Sequence, residues 1–372
     1  MDWLDWLLLA ARVVIVFFGL LLSVLLYIWF ERKVIADFQT RMGPMRAGPR
    51  GILVTLADGI KLFFKEGIVP TNADRRVYLL APVLAMFPGF LAFCTIPFGT
   101  HVTLFGREVP FQLVDLNIGI LWVLAMTSIQ VYGVVLAGWA SGSNYPLLGA
   151  VRSSAQMISY EVAMGLSLVA VLMYSGNLSF SAIVAAQDRV WNIVPMFPAF
   201  VVFMICALAE TNRPPFDLAE AETELVAGFH TEYSGIAFAM FFLGEYVSTV
   251  TVAAIGVTLF LGGWRGPAPD ILPWLWPILW FLLKVTLVIY VMVLIRGTLP
   301  RIRYDRLMAF GWKVLIPFGL VWVLATGAIV VLPDHLNVDR GTLLRWAAVA
   351  IGIILLLSFV PVGRRSERSE AT

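Results

Sequence analysis

The sequence predicts an all-α polytopic membrane protein of about nine transmembrane helices plus one interfacial amphipathic helix. Of its 372 residues, 60% are hydrophobic and only 13% charged, with a mean hydropathy of +0.87. Soluble domains carry roughly 25% charged residues. Apolar runs near the ~20 residues that a bilayer requires recur along the chain, and short charged loops separate them. The net charge of +2 gives no sign of a nucleic-acid partner. Cys94 and Cys206 lie in apolar runs, without CxxC or Cys/His spacing, so no metal or cluster site is expected. Of His101, His230 and His335, only His230 sits in an acidic stretch where it is placed to titrate.

Residues 1–372 read as a single transmembrane domain. The predicted spans are Leu4–Phe30, Val77–Phe98, Leu116–Trp139, Ser153–Tyr174, Val190–Ala209, Ile236–Leu261, Trp274–Ile295, Val314–Leu332 and Leu343–Val360. The first lacks a small-residue cleavage site and is read as a retained helix, not a removable signal. The seventh is interrupted by Lys284.

The loop 33–76 follows Glu31-Arg32-Lys33. Its Gly43-Pro44 and Gly48-Pro49 pairs, with Arg41, Arg46 and Arg50, make a stiff basic turn region. In 52–66, Leu53, Leu56, Ile60 and Phe63 recur at spacings of three and four, opposite Asp58, Lys61 and Lys65. At about 22 Å this helix is too short to span, so it lies in the interface.

The stretch 209–235 breaks the apolar pattern. It holds six of the 24 acids, Glu210, Asp217, Glu220, Glu222, Glu224 and Glu232, against one base, Arg213. Pro214 and Pro215 exclude a helix there. Asp217 and Glu220 read as a capping box that starts a short helix at Leu218, and Gly228 is placed to end it. Two readings stand: a solvated acidic loop, or a loop that handles protons or docks a partner. Crowded Glu220, Glu222 and Glu224 require compensating bases, for which Arg46, Arg213 and Arg296 are candidates.

Lysine and arginine set the expected orientation. With nine spans, 19 bases fall on the side of the loops 33–76 and 209–235 and of the C-terminus, and six on the other. The basic side is expected in the cytoplasm, with the N-terminus outside. Glu161, Glu210, Glu245 and Lys284 fall inside or at the end of spans, where a charge is expensive and marks a path or a structural ion pair. One lysine cannot neutralise three glutamates, which favours a hydrated acidic path.

Together these stretches carry a resemblance. Glu31-Arg-Lys33, Arg41-Met-Gly-Pro44, Ala57-Asp-Gly-Ile-Lys61, Ser159-Tyr-Glu161, Ala209-Glu-Thr-Asn-Arg-Pro-Pro-Phe-Asp217, Glu232-Tyr-Ser-Gly235, Glu245-Tyr246 and Arg296-Gly-Thr-Leu-Pro-Arg-Ile-Arg-Tyr-Asp305 resemble the family of the H subunit (subunit 1) of proton-translocating NADH:quinone oxidoreductase, respiratory complex I. The resemblance runs from Glu31 to about Lys313. Val54-Thr55 replaces the family's usual Gln-Pro, and Arg306 its usual Gln.

The resemblance implies a subunit of a bacterial inner-membrane enzyme that forms the membrane end of a quinone chamber. Arg32, Arg46, Asp58, Lys61, Arg213 and Arg296 then lie at the chamber or its entrance. Glu161, Glu210, Glu222, Glu224 and Glu245 then form an acidic funnel that couples quinone reduction to proton movement. Ubiquinone or menaquinone is the implied substrate. Iron–sulfur clusters and flavin belong to partner subunits: the hydrophilic arm with its terminal cluster, beside adjacent small membrane subunits and lipid. The alternatives are the equivalent subunit of a membrane-bound hydrogenase and a stand-alone ion carrier.

Overall fold

A computed structural model describes residues 3–104, 106–217, 225–269 and 272–336. Contacts divide the chain into two units, Met1–Val323 and Leu324–Thr372, and every candidate site residue belongs to the first. In chain order the helices are α1 (Trp3–Phe38), α2 (Val54–Phe64), α3 (Arg75–Phe93), α4 (Gly119–Ala140), α5 (Asn144–Ser175), α6 (Phe180–Ala186), α7 (Phe197–Glu210), α8 (Gly235–Phe260), α9 (Leu275–Thr298), α10 (Tyr304–Phe310) and α11 (Ile316–Leu336). Among the described residues, seven helical stretches are long and apolar enough to cross a membrane; the last runs Tyr304–Leu332 through a π turn at Gly311–Leu315. The polytopic fold is as expected. The ninth predicted span, Leu343–Val360, lies outside the described residues.

The fifth predicted span, Val190–Ala209, needs correction. Its helix, α7, has only 14 residues. Pro195 disfavours helix before Phe197, whereas Pro198 suits a first turn. An irregular start completes the distance. Asn192 Nδ2 donates to Ser175 Oγ at 3.4 Å and to the Leu259 carbonyl at 2.9 Å, near the ends of α5 and α8. Gln156 Nε2 of α5 donates to the Ala209 carbonyl at 2.7 Å. The segment therefore runs beside α5 from Ser175 to Gln156, roughly 29 Å of helical rise, close to the ~30 Å of a hydrocarbon core. A second departure is a short antiparallel hairpin, β1 (His101–Leu104) with β2 (Arg107–Pro110), paired from His101–Pro110 to Leu104–Arg107.

Small residues let the helices close up. Ala85 of α3 lies between α4 and α8. A Cβ added at Gly133 would come 2.5 Å from Ala85 N, and one at Gly244 2.8 Å from Ala85 O. Without a hydrophobic force between helices in lipid, such close approach supplies the packing. It also puts α8 at the centre, where every residue from Tyr246 to Phe260 is buried.

The loops gather at two ends of the bundle. At one end Arg12 donates to the Leu113 carbonyl at 2.9 Å, Ser179 to Asp115 at 2.9 Å, and Arg265 pairs with Asp188. At the other end Asp74 N donates to the Ala140 carbonyl at 3.1 Å, and Ser234 Oγ to the Glu66 carbonyl at 3.2 Å. There too Ile302 N donates to the Pro215 carbonyl at 3.1 Å, and Arg301 pairs with Asp217 at 3.1 Å. The loops assigned to a common side in the sequence meet one another.

Candidate functional site: a buried ion cluster beside an acidic cavity

The second end carries a cluster of charge drawn from four segments. Glu31 lies in the last turns of α1 and is only 3% exposed. Its Oε2 accepts from the Tyr246 hydroxyl at 2.7 Å. Its Oε1 accepts from Arg296 of α9, and Arg213 Nη1 lies 3.7 Å away. Arg213, 5% exposed, follows α7; its Nε lies 3.0 Å from Glu245 Oε1 of α8. Its guanidinium also sits over the Tyr246 ring, 4.1 Å from the centroid. Burial disfavours the Arg213 charge, but Glu245, Tyr246 and Glu31 outweigh it and push its pKa well above the usual value. The guanidinium therefore stays a cation and holds the two carboxylates at their positions.

Beside this cluster lies a cavity of about 40 Å³, lined by Gln130, Glu210, Asn212, His230, Glu245 and Ser248 among aromatic side chains. A water needs roughly 10–15 Å³ by this measure, so a few waters fit. Glu210 Oε2 is buried there with no hydrogen-bond partner among the described residues. Glu161 is half-buried on α5, close enough to feel the charge of Glu210, and accepts from Ser128 of α4. Gln130 Oε1 accepts from Ser248 Oγ at 2.9 Å. Two carboxyl groups, Glu210 of α7 and Glu245 of α8, thus line one water-sized space, with Glu161 of α5 near Glu210.

Gln156 fixes the turn that follows Glu210. Its Nε2 donates to the carbonyls of Ala209 and Phe216, each at 2.7 Å, across Arg213. Stacked Tyr78 and Tyr233, 4.0 Å apart, anchor the far end of the acidic stretch. Tyr78 also donates to the Glu232 carbonyl at 2.8 Å. The expected helix from Leu218, with Glu220, Glu222 and Glu224, lies outside the described residues.

On the outer side of α1, Arg32 pairs with Asp58 of α2 at 2.9 Å, and Lys61 lies 3.8 Å from the same carboxylate. Glu31 and Arg32, adjacent in sequence, thus serve two different groups. α2 begins two residues later than the predicted 52–66 helix and ends two earlier, and it exposes Leu56, Ile60, Phe63 and Phe64. Thr55, at one departure from the family pattern, is buried with an unpartnered hydroxyl among the described residues. Arg46 is exposed and makes no ion pair among the described residues.

Two expectations change, at Lys284 and His230. Lys284 forms no ion pair with a glutamate among the described residues: its Nζ donates to the carbonyls of Leu261 (2.7 Å), Gly263 (3.0 Å) and Arg265 (2.7 Å) and sits over the Trp191 ring. It caps the C-terminal end of α8, where a cation meets orphan carbonyls and the negative pole of the helix. Buried Arg213 pairs with Glu31 and Glu245, and half-buried Arg296 with Glu31; the Glu220, Glu222 and Glu224 that they were candidates to compensate lie outside the described residues. His230 is enclosed by Phe229 and Phe238; burial outweighs Asp217 and pushes its pKa down to about 4, so it is neutral at pH 7.

Sequence reasoning left Glu31 and Tyr246 out of the site, though both lie in quoted motifs. The depth rule applied to Glu245 would have found Glu31, an acid at the end of a long apolar run. Ser128, Gln130 and Ser248 give no comparable signal, because hydroxyls and amides in a span are ordinary helix packing residues.

A family model described as NADH dehydrogenase matches residues 11–327. The chain belongs to that family. It is 53% identical to the H subunit of the NADH-quinone oxidoreductase of Frankia casuarinae over 368 residues, 98% of this chain and 81% of the relative. The corresponding protein of Frankia alni, also an NADH-quinone oxidoreductase H subunit, matches at the same identity and coverage. The family assignment makes the chain a membrane subunit of an oxidoreductase complex and favours the first of the three activities weighed from the sequence.

Proposed function

We propose that this chain lines the membrane end of a quinone-binding chamber and couples quinone reduction to proton translocation. The observation that carries the reading is the cavity where Glu210 and Glu245 meet, one ion pair away from the Glu31–Arg213–Arg296 cluster. A carboxyl group exchanges protons only where it has both water and neighbours whose charge depends on its state. Glu210 and Glu245 meet that condition at the cavity, Glu161 stands near Glu210, and Glu222 and Glu224 continue the path in the acidic loop. The quinone reaches the cluster past Arg32, Asp58 and Lys61, with the apolar face of α2 against lipid. Arg46 stands at the entrance. A change at the quinone head, reduced by a cluster of the hydrophilic arm, moves Arg296 or Arg213 relative to Glu31, and the glutamates respond. Flavin and iron–sulfur clusters stay on partner subunits. Adjacent small membrane subunits receive the proton path.

The basic end faces the cytoplasm, with the N-terminus outside and the C-terminus inside. A reporter fused after Arg364 then reads as cytoplasmic; a periplasmic signal overturns the orientation. The coupling reading is tested with Glu161→Gln and with the double variant Glu222→Gln and Glu224→Gln, each in the assembled complex. Gln keeps the volume and removes proton exchange. Quinone-reductase turnover is expected to fall several-fold in both. Parental turnover in both variants contradicts the funnel.

A further inference from the structure

Ser128 has more hydrogen-bonding neighbours than its single proton can serve. Its Oγ lies 2.9 Å from the Leu124 carbonyl, one helical turn back, and it also hydrogen-bonds Glu161 Oε1. A hydroxyl has one donor and two acceptor lone pairs. It can donate to Leu124 or to an ionised Glu161, never to both. When it donates to Leu124, the bond to Glu161 requires the carboxyl's own proton.

Leu124 does not require that hydroxyl. Thr127 Oγ1 donates to the same carbonyl at 3.0 Å, and the helix supplies the Ser128 N–H. The carbonyl therefore stays satisfied when the Ser128 hydroxyl turns away, and shares with it when the hydroxyl turns back. Among the described residues Ser128 is the one hydrogen-bonding partner of Glu161. Both groups are half-buried, so water competes for them only in part.

We infer that Ser128 is a positioning residue for Glu161, a hydroxyl rotor that donates to the carboxylate and accepts from the carboxylic acid. The inference rests on Glu161 exchanging protons, as proposed above. The serine gains and loses no proton. When the proton of Glu161 leaves toward the cavity with Glu210, the Ser128 O–H turns from Leu124 to the carboxylate, and it turns back on reprotonation. The carboxyl keeps one orientation through both states, so the exchange requires no side-chain reorganisation.

The test is infrared difference spectroscopy on the intact complex across a pH step. The protonated-carboxyl band that disappears in Glu161→Gln marks Glu161. In Ser128→Ala this band is expected at higher wavenumber, as for a carboxylic acid that has lost a hydrogen bond, and quinone-reductase turnover several-fold lower. Ser128→Thr keeps the hydroxyl and should restore both. Ser128→Cys, a weaker partner of similar size, should shift the band in the same direction if the alanine variant fails to assemble. An unmoved band in Ser128→Ala or Ser128→Cys overturns the pairing. So does the absence of any band removed by Glu161→Gln. If the band moves while Glu161→Gln translocates protons at the parental rate, the pairing stands and the funnel reading fails.

Discussion

The two ends of this bundle each bury a charge, and they do it in opposite ways. Lys284 is held by three carbonyls within five residues of one another and by one tryptophan ring. Arg213 is held by Glu31, Glu245 and Tyr246, which come from α1 and α8 and are separated by more than two hundred positions in sequence. The first arrangement solves a local problem, the unfilled carbonyls where α8 stops. The second ties distant segments together through groups whose charge can change. An ionisable residue inside a span is therefore not by itself a marker of a path. The kind of partner distinguishes the two: neutral backbone holds Lys284, titratable side chains hold Arg213.

Arg213→Leu should break this contrast most strongly. It leaves buried Glu31 and half-buried Glu245 with one cation fewer, and removing one partner of a buried pair costs about 3–5 kcal/mol. The expected outcome is a large loss of assembled complex, read by native gel or detergent thermal unfolding. Normal assembly and stability would show that the cluster carries little energy.

Lys284→Met should cost less, about 1–3 kcal/mol, because the uncovered carbonyls lie at a helix end that water and lipid headgroups can reach. Its unfolding temperature falls, while quinone-reductase turnover per assembled complex stays parental. A variant that assembles but loses turnover would move Lys284 into the mechanism.

His230 sharpens the comparison in pH. Its folded pKa of about 4 lies below the ordinary 6.5, with desolvation as the first cause. Between these values the unfolded chain binds a proton that the folded chain does not. Stability from this group is thus present above pH 6.5 and lost as pH falls toward 4. His230→Gln should flatten that acid-side loss in thermal unfolding measured across the window. An identical pH slope in the variant would contradict a lowered His230 pKa. The smallest effect is expected at Thr55→Val, within about 0.5 kcal/mol, since the buried hydroxyl has no partner to lose among the described residues.

The membrane class was legible from composition, and seven helices coincide with predicted spans because their apolar runs exceed bilayer thickness. Val190–Ala209 misled because apolar composition does not distinguish a helix from a run of apolar turns, and Pro195 and Pro198 set the true boundary. The hairpin at 101–110 was hidden by its shortness. In the site, Glu161, Glu210 and Glu245 could be found because carboxylates in apolar runs are rare. Which acid meets which base was not legible: Arg213 pairs with Glu245 and Glu31 through tertiary approach, which periodicity along one chain segment does not encode.

The proposed function places coupling in the carboxylates at the Arg213 end and not in Lys284. It is tested most directly by protons translocated per NADH oxidised, measured in vesicles that contain complexes with Glu245→Gln or Lys284→Met. A reduced ratio or abolished turnover is expected for Glu245→Gln, and the parental ratio for Lys284→Met. A parental ratio and turnover in Glu245→Gln, with the complex intact, would contradict it.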